Sequence, residues 1–156
     1  MPFLRFLMLL SLIVWIGGLI LFALLAPTVF HVLPTRHLAG NLVGAMLSKL
    51  HWMGIVSGMV FLASSLLHSR LTDGTVHVFG ARNVLIVLML SLTLLSQFGI
   101  IPRMDALRAS LGEVSATPTD NPDRMQFDAL HGWSTRVEAA VLLFGLVVAY
   151  SLAHKF

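Results

Sequence analysis

Four long apolar runs constrain this sequence more than any other feature. They cover roughly residues 6–25, 50–67, 84–101 and 137–153, each close to the about 20 residues that a helix needs to cross a bilayer. Only 11% of the residues are charged and 57% are apolar, whereas soluble domains are usually about 25% charged. The pattern predicts an all-α integral membrane protein, a single domain over 1–156 folded as an antiparallel four-helix bundle.

Start signals and polar flanks extend the predicted helices beyond these runs. Asn121 followed by Pro122 is typical of a helix N-terminus. A helix from there to residue 153 would be about 48 Å long, against a hydrocarbon core of about 30 Å. We therefore expect the second and fourth helices to project from the face opposite the termini. The predicted spans are about 4–32, 37–69, 82–101 and 122–154, with a short surface helix over 103–112.

The composition also excludes several classes of function. The chain has no Cys, which removes disulfides, thiolate metal sites and thiol catalysis. The formal net charge is +3, but Lys and Arg occur singly along the chain rather than in a patch, so we expect no nucleic-acid partner. No phosphate-binding loop, zinc-protease motif or nucleophile elbow occurs. The sequence therefore does not indicate an enzyme, and no catalytic residue is assigned.

Polar residues at the ends of the apolar runs are the candidates for function, because an ionisable group in a bilayer costs at least a few kcal/mol unless it is paired or solvated. At 100° per residue, a stripe on the fourth predicted helix carries Asp128, His131, Thr135 and Glu138 within about 80°. Other polar residues are expected in the same half of the membrane, opposite the termini: His31, Lys49, His51, Gln97 and Arg103.

The second predicted helix has a face of small residues with one histidine set into it. Small residues either let helices pack closely or leave room for a flat ligand, and a Gly-x-x-x-Gly pair such as Gly54 and Gly58 more often serves packing. His51 and His131, taken singly, are more often satisfied core residues than ligands. Together, at one depth on two inward faces, they form a candidate ligand pair. The face within about 80° carries Gly40, Gly44, His51, Gly54, Gly58 and Ser65.

The carboxylates of Asp128 and Glu138 should have partners, because an unpaired carboxylate near hydrocarbon would instead take up a proton. The predicted partners are Lys49, Arg103 and His131, of which Arg103 is favoured because it ends the third run on the same face.

Several short motifs occur in an order that resembles the transmembrane protein 205-like domain family, whose bacterial members are described as a domain of unknown function. The resemblance covers nearly the whole chain and implies four membrane helices but little about mechanism. The layout is also similar to that of copper-resistance protein D and the membrane-bound protoporphyrinogen oxidases, which implies a haem or copper site at histidines. The motifs are Trp15-x-Gly17-Gly18, Ala26-Pro27-x-x-Phe30, Ala39-Gly40, His51 with Gly54, Ile101-Pro102-Arg103-Met104 and Phe127-x-x-x-His131-Gly132-x-Ser134.

The first functional hypothesis is binding of haem b, with copper as the second choice, through His51 and His131. Neutral imidazole is a good ligand for both. Gly54 and Gly58 would form the wall of this site. Thr135 and Glu138 would hold an imidazole in place by hydrogen bonding, and they are the last two residues of the predicted cofactor site.

Two other hypotheses remain open. The chain could be an accessory or scaffolding subunit of a larger membrane complex, without a cofactor of its own. It could also be a transporter or oxidoreductase with Asp128 and Glu138 as proton relays, which ranks last because no inverted repeat is visible. The expected partner is the lipid bilayer, with other membrane subunits as the alternative. We predict the bacterial inner membrane with cytoplasmic termini, although Lys and Arg are similarly distributed on both sides.

Overall fold

The computed structural model describes residues 2–75 and 79–154, and all regular structure within them is helical. Four helical segments in this part are long and apolar enough to cross a membrane. The all-α class is therefore confirmed. The α-helices are α1 (Pro2–Val32), α2 (Arg36–Asp73), α3 (Ala81–Leu95), α4 (Ile101–Leu111) and α5 (Pro122–Ala153).

Local sequence signals fix the ends of α2 and α5. The Thr35 side chain accepts the backbone N–H of Leu38 at the start of α2, and α2 is followed by the C-cap residue Gly74, whose φ of 67° favours glycine. Asn121 accepts backbone N–H groups at the start of α5, and Pro122 occupies its first turn. The N-terminus predicted from Asn121 and Pro122 is confirmed, because both capping and proline geometry depend on neighbours in the chain.

The third helix differs from the prediction. It does not end at residue 101 with a separate surface helix over 103–112. Instead, a π-helical turn, Ser96–Ile100, joins α3 directly to α4, so that one helical segment covers Ala81–Leu111. Pro102 lies in the first turn of α4, where a missing backbone N–H is tolerated.

The core is formed by side chains from all four long segments. α1 packs mainly on α2, and α5 packs mainly on α3. Trp15 of α1, Phe61 of α2, Met89 of α3 and Val141 of α5 are almost completely buried. At the end of the helices near the N-terminus, the Arg5 guanidinium donates to His68 at 3.3 Å. Each helix thus buries one apolar side and exposes the other, as a bilayer allows.

The glycine face of α2 packs against three large side chains, those of Trp15, Leu90 and Arg108. A Cβ at Gly54 would contact the Trp15 indole Nε1 and would lie 2.8 Å from its Cε2. One at Gly58 would lie 2.6 Å from Leu90 Cδ2 and 2.8 Å from Trp15 Cζ3. Farther toward the start of α2, a Cβ at Gly44 would lie 3.3 Å from Arg108 Nη1. Gly54 and Gly58 were predicted to form the wall of a ligand site. That role stays a prediction, and in the structure the Trp15 indole and the Leu90 side chain pack into the space that these two glycines leave.

Candidate functional site

His51 lies at the centre of a buried hydrogen-bonded chain that links three helices. Its side chain is 1% exposed. Its Nδ1 lies 3.0 Å from Gln97 Oε1, and its Nε2 lies 2.6 Å from Glu138 Oε1. The Gln97 Nε2 donates to Ser48 Oγ at 3.0 Å. We call these four residues, Ser48, Gln97, His51 and Glu138, the polar chain.

The helices supply the polar chain in a way that depends on the π turn. Ser48 and His51 are one turn apart on α2, so their side chains share a face. Gln97 lies in the π turn, which adds a residue to one helical turn and so changes which side chains face the neighbouring helices. Glu138 lies near the middle of α5. π turns of this kind occur frequently at functional sites.

The geometry accounts for each proton in the polar chain. Because the Gln97 amide nitrogen donates to Ser48, its Oε1 is the acceptor, and the His51 Nδ1–H is the donor. The 2.6 Å contact between His51 Nε2 and Glu138 Oε1 then requires one proton between two atoms that otherwise only accept. That proton makes the pair either imidazolium with carboxylate or imidazole with carboxylic acid. Both forms are neutral overall, which suits a buried site.

A cavity of about 570 Å³ lies between the first half of α2 and the α3–α4 segment. Its polar lining includes Ser48 and Gln97, so two members of the polar chain form part of its wall. Asp105 and Arg108 of α4 lie on the same lining. The buried histidine is therefore separated from this cavity by the Gln97 side chain to which it is bonded.

The loop after α4 closes over the start of α2 beside this cavity. The His37 Nδ1–H donates to the Gly112 carbonyl at 2.6 Å, and the Asn41 amide donates to His37 Nε2 at 3.1 Å. Glu113 accepts the backbone N–H of His37 at 3.3 Å. The Ser115 hydroxyl, with help from this His37 contact, lowers the pKa of Glu113. These bonds hold the outer end of the cavity in place.

The structure does not place His131 and Thr135 in the polar chain. His131 is exposed, and its ring stacks on Phe127 with 6.5 Å between ring centroids. Thr135 is also exposed, and its hydroxyl donates to the His131 carbonyl rather than to an imidazole. Of the predicted site residues, His51 and Glu138 come together, but as a direct pair. The difference is one of depth, because His131 shares a face of α5 with Glu138 but lies two turns, about 10 Å, nearer the start of the helix.

The donor set fits a two-histidine haem or copper centre poorly. Both ring nitrogens of His51 are already hydrogen-bonded, which leaves no nitrogen lone pair for a metal. Within residues 2–75 and 79–154, no group of three or more His, Asp or Glu side chains could hold a metal ion. The cofactor site therefore stays a prediction, and no chemical step is derived from it.

The partners predicted for the carboxylates of Asp128 and Glu138 are wrong. Glu138 pairs with His51, and Asp128 pairs with Arg124 at 3.3 Å on its own helix. The favoured partner, Arg103, is exposed, as is Lys49. Arg124 precedes Asp128 by one turn, which makes it the nearest cation on the helix surface.

Sequence reasoning missed the roles of Ser48 and Gln97. A signal for Gln97 was present, since it is the only amide in the apolar run 84–101. An amide in a membrane helix has a strong need for hydrogen-bond partners. Ser48 carried no comparable signal, because serine is common in helices that pack closely.

Comparison with known proteins gives a family but no function. No curated protein and no solved structure matches this chain. Residues 10–113, more than half of the chain, match the family described as Domain of unknown function (DUF4149). The match includes Ser48, His51 and Gln97 and ends before Glu138. On this evidence the chain belongs to the DUF4149 family.

Proposed function

We propose that this chain is an integral membrane protein whose His51–Glu138 pair binds and exchanges a proton with the cavity beside Gln97. The observation that carries the proposal is the 2.6 Å contact between His51 Nε2 and Glu138 Oε1, with Nδ1 already bonded to Gln97. Histidine and glutamate pairs inside membrane helices are typical of proton relays. The haem and accessory-subunit hypotheses remain predictions without an observation that favours them.

Exposed aromatic residues support a position for the bilayer. Trp52 and Trp133 are more than half exposed and lie within two turns of the polar chain, and the Arg136 guanidinium lies 5.3 Å from the Trp133 ring centroid. Tryptophan is enriched at membrane interfaces, and arginine serves as an anchor there. Stretches 52–72 of α2 and 133–153 of α5 are each about 30 Å long, the thickness of a hydrocarbon core. The polar chain would then lie close to one interface.

In this proposal the bundle is antiparallel, the termini are in the cytoplasm of a bacterium, and the cavity opens on the other side of its inner membrane.

Because the chain has no Cys, single-cysteine variants give an unambiguous test of this topology. Phe79→Cys should react with a membrane-impermeant maleimide only after cells are permeabilised, whereas Thr119→Cys should react in intact spheroplasts. Both loop positions are exposed. Equal labelling from one side would contradict the bundle, and the reversed pattern would contradict the orientation alone.

Gln97 separates the proton pair from the cavity and positions the imidazole. A side-chain amide is a poor proton carrier, so exchange requires water to replace Gln97 at His51 Nδ1. The imidazolium form of the pair can then release its Nδ1 proton to this water, which leaves a neutral imidazole whose Nε2–H is bonded to the Glu138 carboxylate, and Nδ1 takes the proton back in the reverse step. The Glu138 side chain is 16% exposed, so this carboxyl group has limited contact with the outside of the bundle through which it can exchange a proton. The Ser48 hydroxyl holds the Gln97 amide in its closed position.

Histidine NMR with infrared spectroscopy tests the proposal. With ¹⁵N-labelled histidine in nanodiscs, His51 should show a bonded Nδ1–H and a strongly deshielded proton at Nε2, because that proton is shared with Glu138. The infrared difference spectrum after a pH jump should contain a carboxyl band that Glu138→Gln removes. His131 is the control, because its ring is exposed and lies outside the polar chain. A His51 spectrum like that of His131, with no Glu138 band, would contradict the proposal.

A further inference from the structure

Arg108 is a largely buried cation whose only charged partner in the described chain is an exposed carboxylate. Its side chain is 11% exposed, whereas that of Asp105 is 56% exposed. The Arg108 Nη1 donates to Asp105 Oδ1 at 2.8 Å, and the two residues are three apart on α4. A guanidinium has five N–H donors. This local pair satisfies one of them and leaves the positive charge only partly balanced.

The surroundings of Arg108 keep its guanidinium at the cavity. The centroid of the Phe127 ring lies 5.5 Å from Arg108 Cζ. A Cβ at Gly40 would lie 3.4 Å from Arg108 Nε, and one at Gly44 would lie 3.3 Å from Nη1. The guanidinium therefore lies directly against these two glycines, and a Cβ at Gly44 would crowd it slightly. It is held against an aromatic ring and a bare helix face, an environment that fixes its orientation.

The rest of the cavity suits a ligand with a polar head. Asn41, Ser48 and Gln97 supply hydrogen-bonding groups, and Ile101 and Pro102 supply an apolar wall. A volume of about 570 Å³ is within the roughly 300–1,000 Å³ range of small-molecule sites. We infer that this cavity binds an anionic oxygen group, a phosphate or a carboxylate, against the Arg108 guanidinium.

Guanidinium and oxyanion have matched geometry, because parallel N–H groups can donate to two oxygens at once. A bound anion would compete with Asp105 for Arg108 and would displace that exposed carboxylate into water. The source of the anion is either a soluble metabolite or a phospholipid headgroup. The inference does not depend on the proton pair, because Arg108 makes no hydrogen bond to His51 or Glu138 in the described chain.

The test measures binding to the full chain in mild detergent and in nanodiscs. Inorganic phosphate and succinate are titrated by calorimetry, and retained phosphatidylglycerol is counted by native mass spectrometry, with phosphatidylcholine of the same acyl chains for comparison. Arg108→Gln should weaken binding at least about tenfold, because it removes the charged donors. Arg103→Gln is the matched control, since Arg103 is an exposed cation on the same helix and does not line the cavity.

Asp105→Asn gives an independent result in the opposite direction. It removes the competing carboxylate from an exposed position, so folding should be unaffected and binding should tighten several-fold. Binding of phosphate or succinate identifies a soluble anion, and selective retention of phosphatidylglycerol identifies a lipid headgroup. Equal binding by wild type and Arg108→Gln, weaker binding by Asp105→Asn, or no binding of any probe by wild type would each overturn the inference.

Discussion

Replacing Glu138 with alanine is expected to destabilise the protein by about 3 kcal/mol, because it leaves the buried His51 Nε2 without a partner and such groups cost about 1–3 kcal/mol or more. Glu138→Gln should cost much less, since its amide can donate to Nε2 in place of the shared proton. Reversible unfolding in mixed micelles, followed by circular dichroism, measures both differences. The pair of variants thus separates the loss of a hydrogen bond from the loss of an ionisable group.

Asp128→Ala is the control for Glu138→Ala. Asp128 is also a paired carboxylate on α5, but it is 56% exposed and its partner Arg124 is on the same helix. Exposed pairs of this kind contribute little, so we expect a change within about 0.5 kcal/mol. If Glu138→Ala lowered the free energy of unfolding no more than Asp128→Ala does, the contact between His51 and Glu138 would not stabilise the protein, contrary to the expectation from its geometry.

Gly54→Ala should destabilise the packing of α1 on α2 by about 1–3 kcal/mol, the usual cost of overpacking a closely packed site. The added Cβ would contact the Trp15 indole at Nε1 and would lie 2.8 Å from Cε2 and 3.0 Å from Cδ1. The indole is a rigid ring, 2% exposed, so it has little room to move. Thermal unfolding in detergent gives the measurement. Trp15→Phe, which shortens the ring, should recover part of the loss in the double variant.

Gly17→Ala is the matched control, because Gly17 is a glycine on α1 whose Cβ would meet nothing within 4 Å. Alanine is a better helix former than glycine by up to about 1 kcal/mol, so this variant should be neutral or slightly stabilising. A similar loss from Gly17→Ala and Gly54→Ala would show that the effect comes from the helix backbone in general. The Trp15 contact would then not be its cause.

The long helices were predictable because their determinants are local. The four apolar runs each fall within a helical segment of the structure, and the start of α5 at Pro122 follows from Asn121 as predicted. The third segment was less predictable. The prediction ended the third span at residue 101 and placed a separate surface helix over 103–112, but the π turn before Pro102 places this proline in the first turn of α4. A π turn has no short sequence signature from which it could have been predicted.

Sequence periodicity alone identified two members of the polar chain and assigned them different roles. It placed His51 on an inward face and Glu138 on a polar stripe, but it expected His131 as the second ligand and Arg103 as the carboxylate partner. It also treated Gly54 and Gly58 as a wall for a ligand, whereas the Trp15 indole and the Leu90 side chain pack against them. Each of these expectations concerns which side chains of different helices meet.

The sequence by itself determined that this chain forms four long apolar helices and that His51 and Glu138 are in the same half of the bundle. Hydropathy, capping and helical spacing depend on residues close in the chain, so they can be read from it. Only the tertiary structure decided that His51 bonds to Gln97 and Glu138 and that Arg108 lies at a cavity. Contacts between helices depend on their relative rotation. That rotation is set by packing of whole faces, here Trp15 on Gly54 and Gly58, and by the π turn.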